Sequence, residues 1–186
     1  AAELQRSPAE VRCRSTDWCR IYPTVSFPES DPFGPPGLLA GVALLDRYEV
    51  LGEAGRGGMG IVFRARHKSL DMPVAIKIVR PGASAERFLR EAKLLAQVRS
   101  PYVVTVHDFD ISPTGGPVLV MEWVEGTDLR HRIRAAGGPL AEAEVMPWMR
   151  HTCEGMSAAA EQGIIHRDLK PSNLLIDRHG RVRVAD

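Results

Sequence analysis

Four polar side chains in the last part of the chain have the types that a phosphoryl transfer requires. Asp168, Lys170 and Asn173 lie in the run His-Arg-Asp-Leu-Lys-Pro-Ser-Asn, and Asp186 follows a second short segment. This reaction needs an oriented hydroxyl nucleophile and neutralisation of the phosphate charge. We expect Asp168 to accept the hydroxyl proton and Lys170 to hold the transferring phosphate. Asn173 and Asp186 supply the oxygen ligands that Mg²⁺ prefers.

The residues between Asn173 and Asp186 predict a β-hairpin. Two apolar runs, 174–176 and 182–184, flank the turn-forming tetrad 177–180, Asp-Arg-His-Gly. Residues just before and after a hairpin face each other at its open end, roughly 5 Å apart between paired Cα atoms. We therefore expect Asn173 and Asp186 to converge on one metal ion. The alternative is an ordinary hairpin with solvated polar ends, but the preceding His-Arg-Asp favours the metal site.

A glycine-dense segment lies between two predicted strands further towards the N-terminus. Glycines let backbone N–H groups approach phosphate oxygens because no Cβ intervenes. The glycines expected to contact phosphate are Gly55, Gly57, Gly58 and Gly60. A dinucleotide-binding fingerprint would need a helix to begin there, whereas the Ile-Val-Phe run that follows predicts a strand. A Rossmann oxidoreductase is therefore disfavoured.

The third predicted strand, 73–79, places Ala75 and Lys77 on one face because its side-chain period is two. A small residue beside a cation suits an adenine ring and phosphates, although a lysine at a solvated strand edge is the common alternative. Glu91 falls on the apolar stripe of the next predicted helix, so we expect an ion pair with Lys77 that compensates its desolvation. Alternatively, Glu91 lies at the edge of the stripe, where it reaches water or pairs with Arg87.

The helix predicted over 141–162 carries an apolar stripe that we interpret as core. The stripe consists of Val145, Met149, Cys153, Met156 and Ala160. Pro147 is expected in the first turn of the regular helix, where its missing N–H costs nothing, and Gly163 is placed to end it. Cys153 is interpreted as a small buried hydrophobe and not as a reactive thiol.

Composition bounds the class of protein. With 186 residues, 44% apolar and 25% charged, the chain has the composition of a soluble globular protein of about one domain. The net charge of +1 gives no reason to expect nucleic acid or an anionic membrane as partner. The cysteines lack metal-site spacing and favour a reduced, cytoplasmic compartment. No apolar run approaches the roughly 20 residues that a membrane-spanning helix needs.

The ends of the sequence suggest a piece of a longer protein. The chain begins with Ala1, and it stops at Asp186, within its strongest motif. Residues 1–45 contain several prolines and no sustained periodicity, so we expect a linker or a disordered N-terminal segment.

From about Tyr48 to Asp186 the chain resembles the eukaryotic-like serine/threonine protein kinases, and its Gly-Arg-Gly-Gly-Met-Gly segment is similar to the bacterial branch. The resemblance implies an α+β, bilobal fold. An antiparallel β N-lobe with one helix, called helix C, would occupy 46–122. A hinge and an incomplete, mainly helical C-lobe would occupy 123–186.

The resemblance also implies roles for residues around a nucleotide. Glu91 would be the helix C partner of Lys77, which would contact the α- and β-phosphates. The walls and edge of the adenine pocket would be formed by Val62, Ala75, Met121, Glu122 and Val124. For the segment 118–124, a plain central strand is the alternative.

ATP and Mg²⁺ would be the cofactors, and serine or threonine hydroxyls of proteins the substrates. Lys170 is typical of the serine/threonine subfamily and not of the tyrosine subfamily. The alternative function is a non-catalytic nucleotide-binding or scaffold module, either pseudokinase-like or truncated. The intact catalytic positions argue against a pseudokinase that arose by loss of residues.

Overall fold

The structure, a computed structural model, describes four segments of the chain: 46–57, 60–79, 85–111 and 116–186. The side chains of 85–87 are not described. The expectations for residues 1–45 and for Gly58 lie outside these segments. Within them the predicted α+β architecture is confirmed: the elements are eight β-strands, three α-helices and one short 3₁₀ turn.

A five-stranded antiparallel sheet contains the N-terminal strands in the order β1-β2-β3-β5-β4. Its strands are β1 (Tyr48–Gly57), β2 (Gly60–His67), β3 (Met72–Val79), β4 (Val106–Ile111) and β5 (Pro117–Glu122). Buried Phe63 and Ala65 alternate in β2 with the less buried Arg64 and Arg66, which is the period of two that a half-buried strand requires. One face of the sheet forms a core of Tyr48, Ile61, Phe63, Ala65, Val74, Ile76, Ile78, Val118 and Val120.

Helix α1 (Ala85–Leu95) covers the other face of this sheet. Among its described side chains Ala92 is the most buried apolar one, at 1% exposure, and the half-buried Phe88 packs with it against the strands. Ala75 and Lys77 belong to this face, as the alternation of β3 predicts. Helix α1 and the side chains of Ala75 and Lys77 therefore lie on the same side of the five-stranded sheet.

The C-terminal elements pack around a second sheet in the order β6-β7-β8. They are β6 (Gly126–Asp128), α2 (Leu129–Ala136), α3 (Glu142–Glu161), a 3₁₀ turn (Pro171–Asn173), β7 (Leu174–Asp177) and β8 (Val182–Val184). Asp128 caps α2 by accepting the His131 N–H at 3.0 Å, and Gly137 ends it at φ 64°. None of the described helices is long and apolar enough to cross a membrane.

Helix α3 buries a different face from the one that its sequence predicts. It begins at Glu142, so Pro147 lies inside the helix and not in its first turn. Met149, Cys153 and Ala160 are exposed, so their assignment to the core is wrong, whereas the half-buried Val145 and Met156 do pack against it. The buried residues are Trp148, His151, Thr152, Gly155 and Ala159. Both faces of α3 contain apolar or small residues, so the spacing of these residues does not show which face is buried. Contacts with β8 and Tyr102 determine the buried face.

The loop after α1 is held tightly against α3. The Tyr102 ring stacks on the buried His151 ring, with 4.6 Å between centroids. Gly155 allows this approach, because a Cβ on it would lie 2.7 Å from the Tyr102 carbonyl oxygen. His151 Nδ1 in turn accepts the Val182 N–H at 3.3 Å. Helix α3 thus contacts both the loop that contains Tyr102 and strand β8, the second strand of the hairpin that ends before Asp186.

Candidate active site

Lys77 provides the cation of the site from the middle of β3. Its neighbours across the sheet are Val62 in β2 and Leu119 in β5. The side chain is only 13% exposed, and its Nζ lies 2.6 Å from Asp186 Oδ1. A partly buried ammonium needs such a partner, because removing it from water is costly. The structure therefore brings together two residues that the sequence assigns to one nucleotide site.

Asp168 lies in the loop between α3 and β7. Its N–H donates to the His166 carbonyl at 2.8 Å, and the preceding residue, Arg167, has a φ of 62°. The Lys170 ammonium donates to Asp168 Oδ2 at 2.5 Å, which lowers the pKa of this carboxyl group from its ordinary value. Asp168 is therefore ionised at neutral pH, and the Lys170 ammonium lies directly beside its carboxylate.

Asn173 is buried at the start of the hairpin and is oriented by its own amide. Its Nδ2 donates to the Asp168 carbonyl at 3.0 Å, which leaves Oδ1 as its acceptor oxygen. The Ala185 N–H donates to the Asn173 carbonyl at 2.8 Å. Ala185 is thus opposite Asn173, and Asp186 is one residue beyond, so the expected direct pairing of Asn173 with Asp186 is displaced by one position.

The donor set fits a magnesium ion. A carboxylate from Asp186 and a carboxamide oxygen from Asn173 are ligand types that Mg²⁺ accepts, since it retains several waters and does not need a complete protein cage. No group of three histidine, cysteine, aspartate or glutamate residues suited to a metal occurs in the described segments.

His166 was not assigned a role from sequence, yet the structure places it next to the metal-ligand candidate. Its Nε2 lies 3.1 Å from the carbonyl oxygen of Ala185. Its Nδ1 is buried and lacks a hydrogen-bond partner within the described part of the chain. His166 therefore helps to fix the backbone that carries Asp186, and its place in the His-Arg-Asp run is the signal that could have suggested this.

An apolar cluster links the two sheets beside these charges. Ala75 and Met121 belong to its buried part, and the residues packed against it include Val62, Val124, Leu175 and Ala185. Leu175 and Ala185 come from the hairpin and were not predicted as site residues. Their sequence signal was only the alternation of two short strands, which does not show what each face contacts. The cluster therefore places apolar side chains of both sheets close to the charged groups.

The glycine segment is more regular than the predicted turn. Strand β1 continues to Gly57, with Gly55 opposite Val62 and Gly57 opposite Gly60. Gly60 has a φ of 154°, and a Cβ there would lie 2.0 Å from the Ile78 carbonyl oxygen. Only glycine fits this position. A Cβ on Gly55 or Gly57 would meet nothing within 4 Å, so these positions leave open space beside the backbone.

Glu91 does not form the expected ion pair with Lys77. The Lys77 ammonium contacts Asp186 instead, and Glu91 is exposed. Successive helical residues are rotated by about 100°, so Glu91 lies at the edge of the stripe whose centre is Ala92. The alternative interpretation, a position at the edge of the stripe, describes this structure.

Glu122 is the last residue of β5 and begins the connection between the sheets. Its N–H donates to the Thr105 carbonyl at 2.9 Å, and its carboxylate forms an ion pair with Arg183 of β8. The next residue, Trp123, lies under the guanidinium of Arg64, 5.1 Å from the ring centroid. The segment that connects the two sheets is therefore held by contacts to both of them: Glu122 pairs with Arg183 of β8, and Trp123 packs against Arg64 of β2.

Comparisons with known proteins agree with this arrangement. The protein kinase domain family matches residues 48–186. The serine/threonine-protein kinase pkn2 of Myxococcus xanthus is 41% identical over 73% of this chain. PrkC of Bacillus subtilis, also a serine/threonine-protein kinase, is 36% identical over 80% of it. The crystal structure of the Mycobacterium tuberculosis PknI kinase domain superposes with a TM-score of 0.67 and 27% identity over 75% of this chain.

The chain belongs to the protein kinase family, and its fold is the bilobal kinase fold in part. Its similarity to the named bacterial serine/threonine kinases agrees with the resemblance seen in the sequence. The chain spans 16% of the length of the Myxococcus protein, 24% of PrkC and 57% of the PknI kinase domain.

Proposed function

We propose that the protein containing this chain transfers the γ-phosphoryl group of ATP to serine or threonine hydroxyls of other proteins. The observation that carries the proposal is the Lys77–Asp186 ion pair. It joins the cation of the five-stranded sheet to the end of the hairpin. Asn173 contacts both Asp168 and Ala185, which supports the proposal that the acidic, amide and ammonium groups act in one site.

Each polar residue has a distinct role in this proposal. Asp168 orients the substrate hydroxyl and accepts its proton, because its lowered pKa keeps it ionised. Lys170 then moves from Asp168 towards the transferring phosphate, which needs a positive charge as it leaves the nucleotide. Lys77 contacts the α- and β-phosphates. In this proposal Glu91 becomes its partner when α1 turns towards the cleft.

Asn173 and Asp186 are proposed to hold Mg²⁺. When bound, this ion neutralises the charge of the β- and γ-phosphates. The contribution of the protein is to fix the two oxygen ligands: the Asn173 amide is oriented by the Asp168 carbonyl, and the Asp186 backbone is held through Ala185.

The nucleotide base is proposed to enter the apolar cleft. Val62 and Ala75 would form its walls, and Met121 would limit its depth. Backbone groups at Glu122 and Val124 would bond the adenine edge. The backbone N–H groups at Gly55, Gly57, Gly58 and Gly60 would cover the phosphates. The support is the cluster that places the described apolar residues together.

Serine and threonine are proposed as acceptors because Lys170 is present and because the named bacterial relatives are serine/threonine kinases. The cytoplasm, which supplies ATP, is the proposed compartment. Nucleic acid is not a proposed partner, since the net charge is only +1.

The test is phosphate transfer from γ-labelled ATP by the intact protein, with a generic protein substrate and with the protein itself as acceptor. We expect label on serine or threonine after acid hydrolysis, and none when EDTA removes Mg²⁺. ATP binding without any transfer would support a non-catalytic nucleotide-binding module instead. Label on tyrosine alone would contradict the proposed acceptor class.

A further inference from the structure

We propose that the Glu122–Arg183 ion pair is a positioning element that couples the base end of the cleft to its metal end. This inference rests on the proposed function, because it assumes that nucleotide and Mg²⁺ bind together in the cleft. Glu122 belongs to β5, the strand that leads into the connection between the sheets. Arg183 belongs to β8, the strand that precedes Asp186.

The pair is largely shielded from water on both sides. The side chains of Arg183 and Glu122 are 16% and 23% exposed, unlike most ion pairs of the described chain. Arg183 Nε is buried and has no hydrogen-bond partner within the described segments. Among the side-chain contacts of the described segments, the guanidinium is directed to Glu122, so this contact joins the end of β5 to β8.

Stability alone does not explain such a pair. Removing two charges from water is costly, and two apolar residues of similar volume can stabilise a fold as well or better. What a largely shielded ion pair adds is a directional contact that favours one separation between the two segments. Here the segments are the start of the connection, where the adenine edge is proposed, and the hairpin that carries both metal-ligand candidates.

The backbone around Arg183 is fixed in the same direction. The Val184 N–H donates to the Tyr102 carbonyl at 2.7 Å, and the Val104 N–H donates to the Val184 carbonyl at 2.9 Å. These bonds hold β8 against the loop that leads to β4. Pairing with β7 holds β8 from its other side, and the Arg183 side chain, directed to Glu122, adds a contact to the end of β5. A change at Arg183 is therefore transmitted to Asp186, three residues later.

The chain contains a matched control. Arg178, in the turn of the same hairpin, pairs with Glu125 of the same connection at 3.3 Å. Its side chain is 70% exposed and that of Glu125 is 44% exposed. An exposed pair of this kind contributes little because water competes for both charges. The Arg178–Glu125 pair joins the same two segments as the Glu122–Arg183 pair but is more exposed. Comparing the two pairs therefore separates the effect of shielding from water from the effect of position in the fold.

The experiment measures how much Mg²⁺ strengthens nucleotide binding by the intact protein. The affinity for AMP-PNP, a non-hydrolysable ATP analogue, is determined by calorimetry in Mg²⁺ and in EDTA, and their ratio reports the coupling between the two ends. The neutral double variant Glu122→Gln/Arg183→Met should fold and lower this ratio by about fivefold or more. The charge-swapped variant Glu122→Arg/Arg183→Glu should restore it to within about twofold. Arg178→Met should leave it unchanged.

Each outcome decides between the possibilities. A neutral double variant that binds with the wild-type ratio would overturn the inference, as would a charge-swapped variant that does not recover. Failure of the neutral double variant to fold, judged by circular dichroism, would also overturn it, because the pair would then serve folding and not positioning. If the wild-type protein binds no AMP-PNP at all, the proposed function itself fails.

Discussion

The ammonium nitrogen of Lys77 lies 2.6 Å from a carboxylate oxygen of Asp186, across 109 positions of sequence. Both groups are therefore neutralised by each other in this structure. In the proposed reaction Lys77 contacts phosphate and Asp186 contacts a metal ion, so both must exchange partners when the nucleotide enters.

Replacing Lys77 with methionine tests the role of the cation. The substitution keeps most of the side-chain volume but removes the charge that the phosphates need. We expect kcat for phosphate transfer to fall by about 10² to 10³, the effect of removing one preorganised charge-stabilising group. Lys93→Met, an exposed change in α1, is the control and should retain wild-type turnover. Normal turnover in the Lys77 variant would refute the assignment.

Replacing Asp168 with asparagine tests the proton acceptor. The amide preserves the shape but cannot accept the hydroxyl proton, so kcat should fall by about 10² to 10⁴. The KM for ATP should change little, because Asp168 is not assigned to the nucleotide. Steady-state kinetics of peptide phosphorylation measures both. The control is Asp71→Asn, whose φ of 51° suits asparagine and whose side chain is 77% exposed. An equal fall in kcat for Asp71→Asn would contradict the role of Asp168 as proton acceptor.

The sequence predicted those elements that local pattern determines. The β2 and β3 strands and the hairpin around 177–180 follow from alternation and turn residues, and the structure contains each of them. The chemistry around Asp168 was also local, because Lys170 and Asn173 lie within one short loop. In these cases the residues that interact are close together in the chain, so their spacing is informative.

Features that depend on packing between distant segments were not predictable in the same way. The face of α3 that is buried depends on Tyr102 and β8, which its own periodicity does not contain. The partner of Lys77 depends on how α1 is rotated about its axis against the sheet. Adjacent helical residues differ by about 100°, so a helix with Ala92 directed inward has Glu91 at the edge of its apolar stripe. The register of the hairpin placed Ala185, and not Asp186, opposite Asn173.

Gly155 is expected to tolerate no side chain. An alanine Cβ would lie 2.7 Å from the Tyr102 carbonyl oxygen, so the helix and the loop would have to separate. We expect Gly155→Ala to lower the free energy of unfolding by about 1 to 3 kcal/mol, the usual cost of overpacking. Gly138→Ala is the matched control, because nothing lies within 4 Å of its added Cβ. Urea unfolding measures both, and equal stability of the two variants would contradict the close approach.

Asp177 should make the stability of the hairpin dependent on pH. Burial raises its pKa, but hydrogen bonds from the Arg181 and His179 N–H groups and from the Arg181 side chain outweigh this, so the pKa is lowered overall. The folded state therefore favours the carboxylate. Its contribution is complete above the ordinary carboxyl pKa of about 4, and is lost as the pH falls through the lower native value.

Asp177→Asn removes this titration but keeps the shape of the side chain. At pH 7 the variant should be less stable by about 1 kcal/mol, because charge-assisted hydrogen bonds become neutral ones. The difference should shrink as the pH falls below about 4 and through the lowered native pKa, because the wild-type carboxyl group then becomes neutral like the amide. Urea unfolding of both proteins at several pH values gives the two curves, with Asp71→Asn as the exposed control. A stability difference that stays constant down to pH 2 would show that the charge of Asp177 does not stabilise the hairpin.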